Sequence, residues 1–443
     1  MKVTLIAGKY FNSWEALGLG YIGAYLKRHC DVELNFFHPN FDSDHAILEG
    51  TAGTDICMFS CTSPAIDYAL TLAGAIKCRD PKVRTVFGGY HPSALPGDVK
   101  QAGFVDYVVV GEGEVPAEAI VRGYPYWRLD GRRMSFDELS WPDRELIRNE
   151  RHIAVAEKDT GLRITSFQSR RGCPYGCKYC LDGQKVMYKG KPCERDIKDL
   201  LTEIDSVAYK YRLDLIKFCD PTWNTNPQYV KDFCKEKIRW KLHIPFFANI
   251  HARNGDQEMF DMMAEANCTT IGLGVETGSE RILQQMGKGT TKDDVRGTVR
   301  MAKNSGIGIR GYFLTGMPDD DNESLQETMD FADELELDEY GFTILCPYPG
   351  TAFYAEDPER FKDVNWEGAD EYRNDFWRTK YLTNAELVAW QDRLMERFCK
   401  KLTGRNKTVG KGTGNEGSGD SPGATGCTPD SDGEGTGSPS ARR

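Results

Sequence analysis

Three cysteines stand close together near the middle of the chain, in the sequence Arg-Gly-Cys-Pro-Tyr-Gly-Cys-Lys-Tyr-Cys that ends at residue 180. The glycines and the proline between them let the backbone wrap a compact object, so the thiolates of Cys173, Cys177 and Cys180 can converge on one metal centre. A four-iron cube usually takes four thiolates, and three would leave one iron open for a substrate. Structural zinc takes four protein ligands, commonly from two Cys-x-x-Cys pairs, and a second such pair is missing here. The spacing favours an iron–sulfur cluster, with zinc or chance clustering as the alternative.

The elements around this loop predict where it lies. Residues 162–169 have strand character and end at the loop, and strands and helices alternate from there to residue 345. Active sites of β/α barrels lie at the carboxyl ends of the strands, which is where the loop begins. The pattern predicts a partial, six-stranded β/α barrel. The further strands are expected at residues 215–218, 245–249, 270–275, 308–314 and 339–345.

The first third of the chain alternates in the same way. Strands are predicted at residues 3–7, 32–37, 56–60, 84–87 and 107–110, with helices at 17–28 and 68–78. This alternation predicts an α/β domain with a doubly wound parallel sheet. Such sheets bind ligands at the carboxyl ends of their strands, where Ser60, Gly88, Gly89, Gly111 and Glu112 stand. Glycines that serve only tight turns are the alternative.

Composition narrows the function further. The net charge of −11 argues against non-specific nucleic-acid binding, which needs clustered Lys and Arg. No apolar run approaches the roughly 20 residues that span a bilayer, and residues 3–7 are too short for a signal peptide. We therefore expect a cytoplasmic protein without membrane or nucleic-acid partners, whose 14 cysteines are reduced thiols or metal ligands.

Two sets of motifs carry a resemblance to a known family. The cysteine loop resembles that of radical S-adenosylmethionine (SAM) enzymes, and residues 18–26, 88–92 and 111–114 resemble a cobalamin-binding domain. Together they are similar to cobalamin-dependent radical SAM enzymes, and to methyltransferases in particular. The resemblance implies a Rossmann-like cobalamin domain before the radical core. The implied cofactors are a [4Fe-4S] cluster, SAM and cobalamin.

The same resemblance implies residues that bind SAM, at the strand ends of the core. Asp220 would accept hydrogen bonds from the SAM ammonium, and Glu276 would bind the ribose hydroxyls or the amino group. Tyr179 would offer an aromatic face to the adenine, Gly316 its backbone to the adenine edge, and Arg310 its charge to the SAM carboxylate. A salt bridge inside the barrel is the alternative for Asp220, Glu276 and Arg310.

For cobalamin, the implied contacts are Glu15, Gly18, Ser60, Thr62, Gly88, Gly89, His91, Gly111 and Glu112. Cobalamin folds generally supply a histidine three residues before a glycine that corresponds to Gly18, and Glu15 stands in its place. We therefore expect that no imidazole reaches cobalt, with His38 and His91 as the alternative ligands. Glu15 would hold a water below the metal or, as we favour, cap the helix that begins near residue 17. Gly88 and Gly89 would let the nucleotide tail approach the backbone closely.

The expected domain boundaries follow from these motifs. They are 1–135 for the cobalamin-binding domain, 136–162 for a connection, 163–352 for the radical SAM core, 353–402 for a small helical cap and 403–443 for a disordered tail rich in Gly, Ser, Thr, Asp and Pro.

The resemblance implies methylation of an unactivated carbon or phosphorus centre in a small molecule or peptide, with electrons from a flavodoxin or ferredoxin. A cyclase or rearrangement enzyme that transfers no methyl is the main alternative. A methylthiotransferase and a non-catalytic cobalamin sensor are less favoured, because the first needs a second cluster and the second needs no SAM site. The sequence does not assign the residue at the site of the substrate radical.

Overall fold

Two six-stranded parallel sheets organise the chain. The computed structural model describes residues 1–10, 15–190, 192–372 and 374–405. The first sheet has the strand order β2-β1-β3-β4-β5-β6. Its strands are β1 (Lys2–Ile6), β2 (Glu33–Phe37), β3 (Ile56–Ser60), β4 (Arg84–Gly88), β5 (Tyr107–Val110) and β6 (Arg128–Asp130). Its helices are α1 (Leu17–His29), α2 (Asp44–Gly50), α3 (Ile66–Arg79), α4 (Tyr90–Ala94), α5 (Pro96–Gln101) and α6 (Glu114–Val121).

The predicted doubly wound sheet is confirmed, and it has one strand more than expected. Strands β1, β3 and β4 are buried on both faces by the helices, which explains their continuous apolar runs. The sixth strand, β6, has only three residues and one buried side chain, so its sequence carries little strand signal. The strand order reverses between β1 and β3, which creates the crevice where doubly wound sheets bind ligands.

The second sheet forms the partial barrel, in the order β14-β13-β12-β11-β10-β7. Helix α7 (Asn149–Thr160) precedes it. The strands are β7 (Ile164–Phe167), β10 (Leu215–Phe218), β11 (Phe246–Ile250), β12 (Cys268–Glu276), β13 (Gly308–Thr315) and β14 (Glu339–Ile344), and a short antiparallel pair, β8 (Arg170–Arg171) and β9 (Cys193–Glu194), follows β7. The helices are α8 (Ile197–Tyr211), α9 (Pro227–Arg239), α10 (Gln257–Glu265), α11 (Glu280–Met286), α12 (Lys292–Asn304) and α13 (Asn322–Leu335).

The two faces of the barrel sheet differ in composition. On β12, Ile271, Leu273 and Val275 are fully buried in the core beneath the helices. Successive side chains of a strand point to opposite faces, so Gly272, Gly274 and Glu276 face the concave side. Small residues on that side leave room near the carboxyl end of the central strand.

A helical cap follows the barrel and comprises α14 (Ala352–Glu356) and α15 (Asn384–Arg405). One hydrophobic cluster joins Phe59 and Phe87 of the first sheet to Met317 of the barrel and to Trp366 and Trp377 of the cap. The expected domains therefore share a core. Helix α15 continues three residues into the predicted tail, and residues 406–443 lie outside the described part of the chain. Among the described helices, none combines the length and apolarity needed to cross a bilayer.

Candidate functional site

The cysteine loop leaves the barrel at the carboxyl end of β7. Cys173 and Cys177 are buried and Cys180 is partly exposed. Burial raises the pKa of the Cys177 thiol to about 11, although the nearby Lys288 ammonium acts in the opposite direction. Within the described residues, no three His, Cys, Asp or Glu side chains surround a single ion position.

Neighbouring side chains hold the loop in shape. Lys185 Nζ donates hydrogen bonds to the Cys173 carbonyl and, at 2.8 Å, to the Tyr175 carbonyl. The Tyr175 ring stacks on His251 at the end of β11, with 3.9 Å between ring centroids and 6° between planes. At Gly183 a Cβ atom would lie 2.7 Å from the Cys177 carbonyl oxygen, so the loop closes too tightly for any side chain there. The loop is thus a preformed cradle.

Asp220 holds the entrance to the loop. Its carboxylate accepts hydrogen bonds from Ser169 N (3.0 Å) and Arg170 N (2.8 Å) on one oxygen, and from Ser169 N (3.3 Å) and Ser169 Oγ (2.6 Å) on the other. The side chain is fully buried, which raises the pKa of Asp220 to about 6 despite these bonds. Three donor groups make these contacts, because the Ser169 N–H is shared between the two oxygens. Asp220 therefore anchors the backbone before the cluster loop, and its contact with the SAM ammonium stays a prediction.

Glu276 lies at the carboxyl end of β12 and forms a buried ion pair. Its Oε1 accepts a hydrogen bond from Lys288 Nζ (2.5 Å) and another from the Tyr179 hydroxyl (3.0 Å). Lys288 also donates to the Gly274 carbonyl at 2.6 Å. A Cβ atom at Gly274 would come within 2.4 Å of the ammonium, so glycine leaves the space that the pair occupies. Both charges act on the thiol of Cys177, one of the three cysteines predicted to hold the cluster.

The carboxyl edge of the first sheet carries mainly uncharged polar groups near the β1–β3 crevice. Thr62 hydrogen bonds with the Tyr10 hydroxyl, and Ser63 Oγ lies 3.0 Å from His91 Nδ1. Gly111 N donates to Ser93 Oγ at 2.9 Å. Hydroxyl groups of this kind suit the carboxamides around a corrin ring.

Comparisons with known proteins agree with both sites. Residues 3–121 match the B12 binding domain and residues 168–332 match the radical SAM superfamily. The chain is a cobalamin-dependent radical SAM enzyme. It is 29% identical to an uncharacterised methyltransferase of Pyrococcus horikoshii over 79% of this chain and 80% of that protein. It is 23% identical to the anaerobic magnesium-protoporphyrin IX monomethyl ester cyclase of Rubrivivax gelatinosus, over 82% and 69% of the two chains.

A solved structure shows the same fold. The radical SAM methyltransferase TsrM from Kitasatospora setae, with tryptophan and a SAM analogue bound, superposes with a TM-score of 0.69 at 17% identity. The superposition covers 89% of this chain and 88% of that chain. The cofactors of the enzyme are a [4Fe-4S] cluster, SAM and cobalamin, as the motifs indicate.

Glu15 does not cap helix α1. The residue at the cap position is Ala16, and no side chain makes a capping hydrogen bond there. Glu15 instead accepts hydrogen bonds from Asn149 Nδ2 at 3.0 Å, from the Thr165 hydroxyl, and from Ser166 N at 2.8 Å. The cap interpretation was wrong because both carboxylate oxygens reach across to β7. Glu15 joins the cobalamin-binding region to the barrel.

The histidines and glycines of the first sheet also have partners within the protein. His38 is buried against Phe41 and His152, and His91 is bonded to Ser63. A Cβ atom at Gly89, where φ is +105°, would lie 2.5 Å from the Cys61 carbonyl oxygen. Packing against Cys61 thus requires this glycine whether or not a nucleotide tail passes it.

The structure also places three further residues that were predicted to contact cofactors, and their contacts stay predictions. Gly18 is exposed on helix α1, where a Cβ atom would meet nothing within 4 Å among the described residues. Gly316 is buried and its carbonyl accepts a hydrogen bond from Trp377 Nε1 at 2.6 Å, so the cap uses this backbone. Arg310 is the third residue of β13, far from its carboxyl end, and lies 3.6 Å from Glu339. Its predicted contact with the SAM carboxylate is therefore less favoured by position than a contact from a residue at the carboxyl end of the strands.

Glu112 lies between the two domains. Its carboxylate pairs with Arg171 Nη1 at 2.8 Å and with Arg133 Nη1 at 3.1 Å. The side chain is buried and both of its oxygens are paired, and its contact with cobalamin stays a prediction.

Sequence reasoning missed Lys288 and His251. Lys288 stands between two glycines directly after α11, and His251 follows β11 directly. A lysine in a glycine-flanked turn and a histidine at a strand end are the signals that could have drawn attention to them.

Proposed function

We propose that this enzyme methylates an unactivated carbon or phosphorus centre in a small molecule or peptide. The observation that carries the proposal is the position of the cluster loop, both ends of which contact strand-end loops of the cobalamin-binding sheet. Arg171 pairs with Glu112, and the Tyr90 hydroxyl donates to Asp182 Oδ1 at 2.8 Å. The regions that hold the two cofactors therefore lie on either side of one short segment, which suits transfer of a group between them. The similarity to the Pyrococcus horikoshii methyltransferase supports the same reaction class.

When bound, the cluster supplies the electron that cleaves SAM, and cobalamin supplies a carrier for its methyl group. Cys173, Cys177 and Cys180 hold the cluster. Lys288, rather than Arg310, pairs with the SAM carboxylate, because its ammonium is buried beside Cys177. Glu276 orients that ammonium through the 2.5 Å contact and remains a candidate for the ribose or amino group of SAM. Tyr179 offers its ring to the adenine.

Four further expectations complete the proposal. Residues 1–135 bind cobalamin, residues 163–352 form the radical core and residues 353–402 close it. Ser60, Thr62, Gly88 and Gly111 contact cobalamin along the crevice, and no imidazole reaches cobalt. A flavodoxin or ferredoxin delivers electrons, and the enzyme works in the cytoplasm without nucleic-acid partners. Replacing a chemical reductant by reduced flavodoxin should sustain formation of 5′-deoxyadenosine.

The alternative is a cyclase or rearrangement enzyme that transfers no methyl, and the similarity to the Rubrivivax gelatinosus cyclase favours it over other candidates. A methylthiotransferase would need a second cluster, and Cys30, Cys57, Cys61 and Cys78 do not have the spacing in the sequence that would ligate one. A sensor would bind cobalamin without cleaving SAM.

One experiment separates these functions before the substrate is known. The reconstituted enzyme is reduced anaerobically with SAM, with and without cobalamin, and its products are separated by chromatography. If the enzyme transfers methyl groups, S-adenosylhomocysteine should form only when cobalamin is present. A cyclase predicts 5′-deoxyadenosine without S-adenosylhomocysteine, and a sensor predicts neither product.

A further inference from the structure

One end of the cluster loop is bound to the first sheet by a buried charge network. Arg171 Nη1 pairs with Glu112 at 2.8 Å and Nη2 pairs with Glu114 at 2.7 Å. The side chains of Arg171, Glu112 and Glu114 are 4%, 3% and 5% exposed, so solvent screens the pairs little. Arg133 supplies a second positive charge to the two carboxylates, because it donates hydrogen bonds both to Glu112 and to the Arg171 carbonyl. The residue two positions before Cys173 is therefore fixed from the cobalamin side.

The other end is bound by a second contact. The Tyr90 hydroxyl donates to Asp182 Oδ1 at 2.8 Å, two residues after Cys180. Tyr90 follows Gly89 directly and begins helix α4. Both ends of the loop are thus held by the first sheet, at the ends of β5 and β4.

The residues that hold the loop share their backbone segments with the expected cobalamin contacts. Tyr90 is adjacent to Gly89 in the chain, and Glu112 is adjacent to Gly111. Any shift of these strand ends when cobalamin binds moves the partners of Arg171 and Asp182. Breaking a buried pair leaves an uncompensated charge, so the loop and the strand ends move together or not at all.

We propose that Glu112, Glu114 and Tyr90 are positioning residues that make cobalamin binding and the order of the cluster loop mutually dependent. The inference rests on the proposed function only in that cobalamin occupies this edge of the sheet. Coupling between two binding sites is reciprocal. If bound cobalamin stabilises the cluster site by some factor, the formed cluster must raise the affinity for cobalamin by the same factor.

Hydrogen exchange of the apo protein tests the positioning itself. Glu114→Gln and Tyr90→Phe are compared with Glu203→Gln, which removes a buried charge from the pairs with Arg144 and Arg195 and breaks neither the Arg171 pairs nor the Tyr90–Asp182 hydrogen bond. We expect amide exchange in residues 172–183 to quicken about tenfold in the first two variants, since one hydrogen bond to a charged group is lost, and to stay unchanged in the third. Equal exchange in all three variants would overturn the proposal. Tyr90→Phe removes a single hydroxyl, so it keeps the test decisive if Glu114→Gln does not fold.

Cobalamin titration tests the coupling. Hydroxocobalamin affinity is measured by absorbance with the cluster reconstituted and without it. In the unaltered enzyme we expect the cluster to raise affinity by about 5- to 150-fold, the usual range for coupled sites. In Glu114→Gln this ratio should approach one, while Glu203→Gln keeps it. A ratio of one in the unaltered enzyme, or an undiminished ratio in Glu114→Gln, would refute the coupling. Absence of cobalamin binding in every form would instead refute the proposed function, and the exchange result would still decide whether the loop is positioned by the sheet.

Discussion

Replacing Lys288 with methionine should weaken SAM binding more than any other single change outside the cysteines. The ammonium is buried, donates to the Gly274 carbonyl at 2.6 Å and to Glu276 at 2.5 Å, and lies near Cys177. Methionine keeps the length and apolar stem of the side chain but removes the charge. The substitution therefore removes the cation proposed for the SAM carboxylate with little change in volume.

The expected magnitude follows from the contact. A hydrogen bond to a charged group contributes about 1.5–3 kcal/mol, and each 1.4 kcal/mol is about tenfold in affinity. The dissociation constant for SAM should therefore rise by about 10- to 150-fold. The free energy of unfolding should also fall, by up to about 3–5 kcal/mol, because Glu276 loses its buried partner. Lys288→Arg keeps the charge and should recover most of both losses.

The assay is anaerobic calorimetry of SAM binding to the reconstituted enzyme, with iron content and thermal melting measured on each variant. Arg310→Met is the matched control, since the Arg310 side chain is 45% exposed and its ion pair with Glu339 is long, at 3.6 Å. Its SAM affinity should stay within about twofold of the unaltered enzyme, because a solvent-exposed cation contributes little. A loss of SAM affinity in Arg310→Met together with normal affinity in a folded Lys288→Met would refute the assignment.

The reconstituted chain should hold about four irons and four sulfides, and Cys173→Ala, Cys177→Ala or Cys180→Ala should abolish SAM cleavage; a cluster retained in the triple variant would exclude these ligands. Electron paramagnetic resonance of the cobalt(II) form should lack nitrogen superhyperfine splitting, and a splitting that disappears in His38→Ala or His91→Ala would identify an imidazole ligand. Burial lowers the pKa of His91 to about 4, so the native state binds fewer protons than the unfolded chain below pH 6.5. Stability should therefore fall between about pH 6.5 and 4, by roughly 2 kcal/mol at pH 5 from this group alone. Between pH 7.5 and pH 5, the free energy of unfolding measured in urea should fall less in His91→Gln than in the unaltered enzyme. An equal fall in both proteins would contradict the lowered pKa of His91.

The sequence by itself determined the fold class and predicted the cluster ligands. Both rest on local signals: apolar runs separated by helical periodicity, and three cysteines within eight residues of chain from Cys173 to Cys180. Strands β3, β5 and β10 begin and end where the pattern predicts, because both their apolar cores and their polar ends are encoded within the strand itself. The cofactors followed from the same short motifs.

Only the tertiary structure decided which charged side chains meet. Glu15 looked like a helix cap in the sequence, yet it bonds to Thr165, 150 residues away. Asp220 accepts hydrogen bonds from Ser169 N, Ser169 Oγ and Arg170 N before the cluster loop, which the sequence did not indicate. A carboxylate takes whatever donors the packing of remote elements brings within hydrogen-bond distance, and sequence position does not encode that distance. The proposal for Lys288 has the same origin, because the loop after α11 brings Lys288 to Glu276 at the carboxyl end of β12. Arg310 is the third residue of β13 and lies 3.6 Å from Glu339.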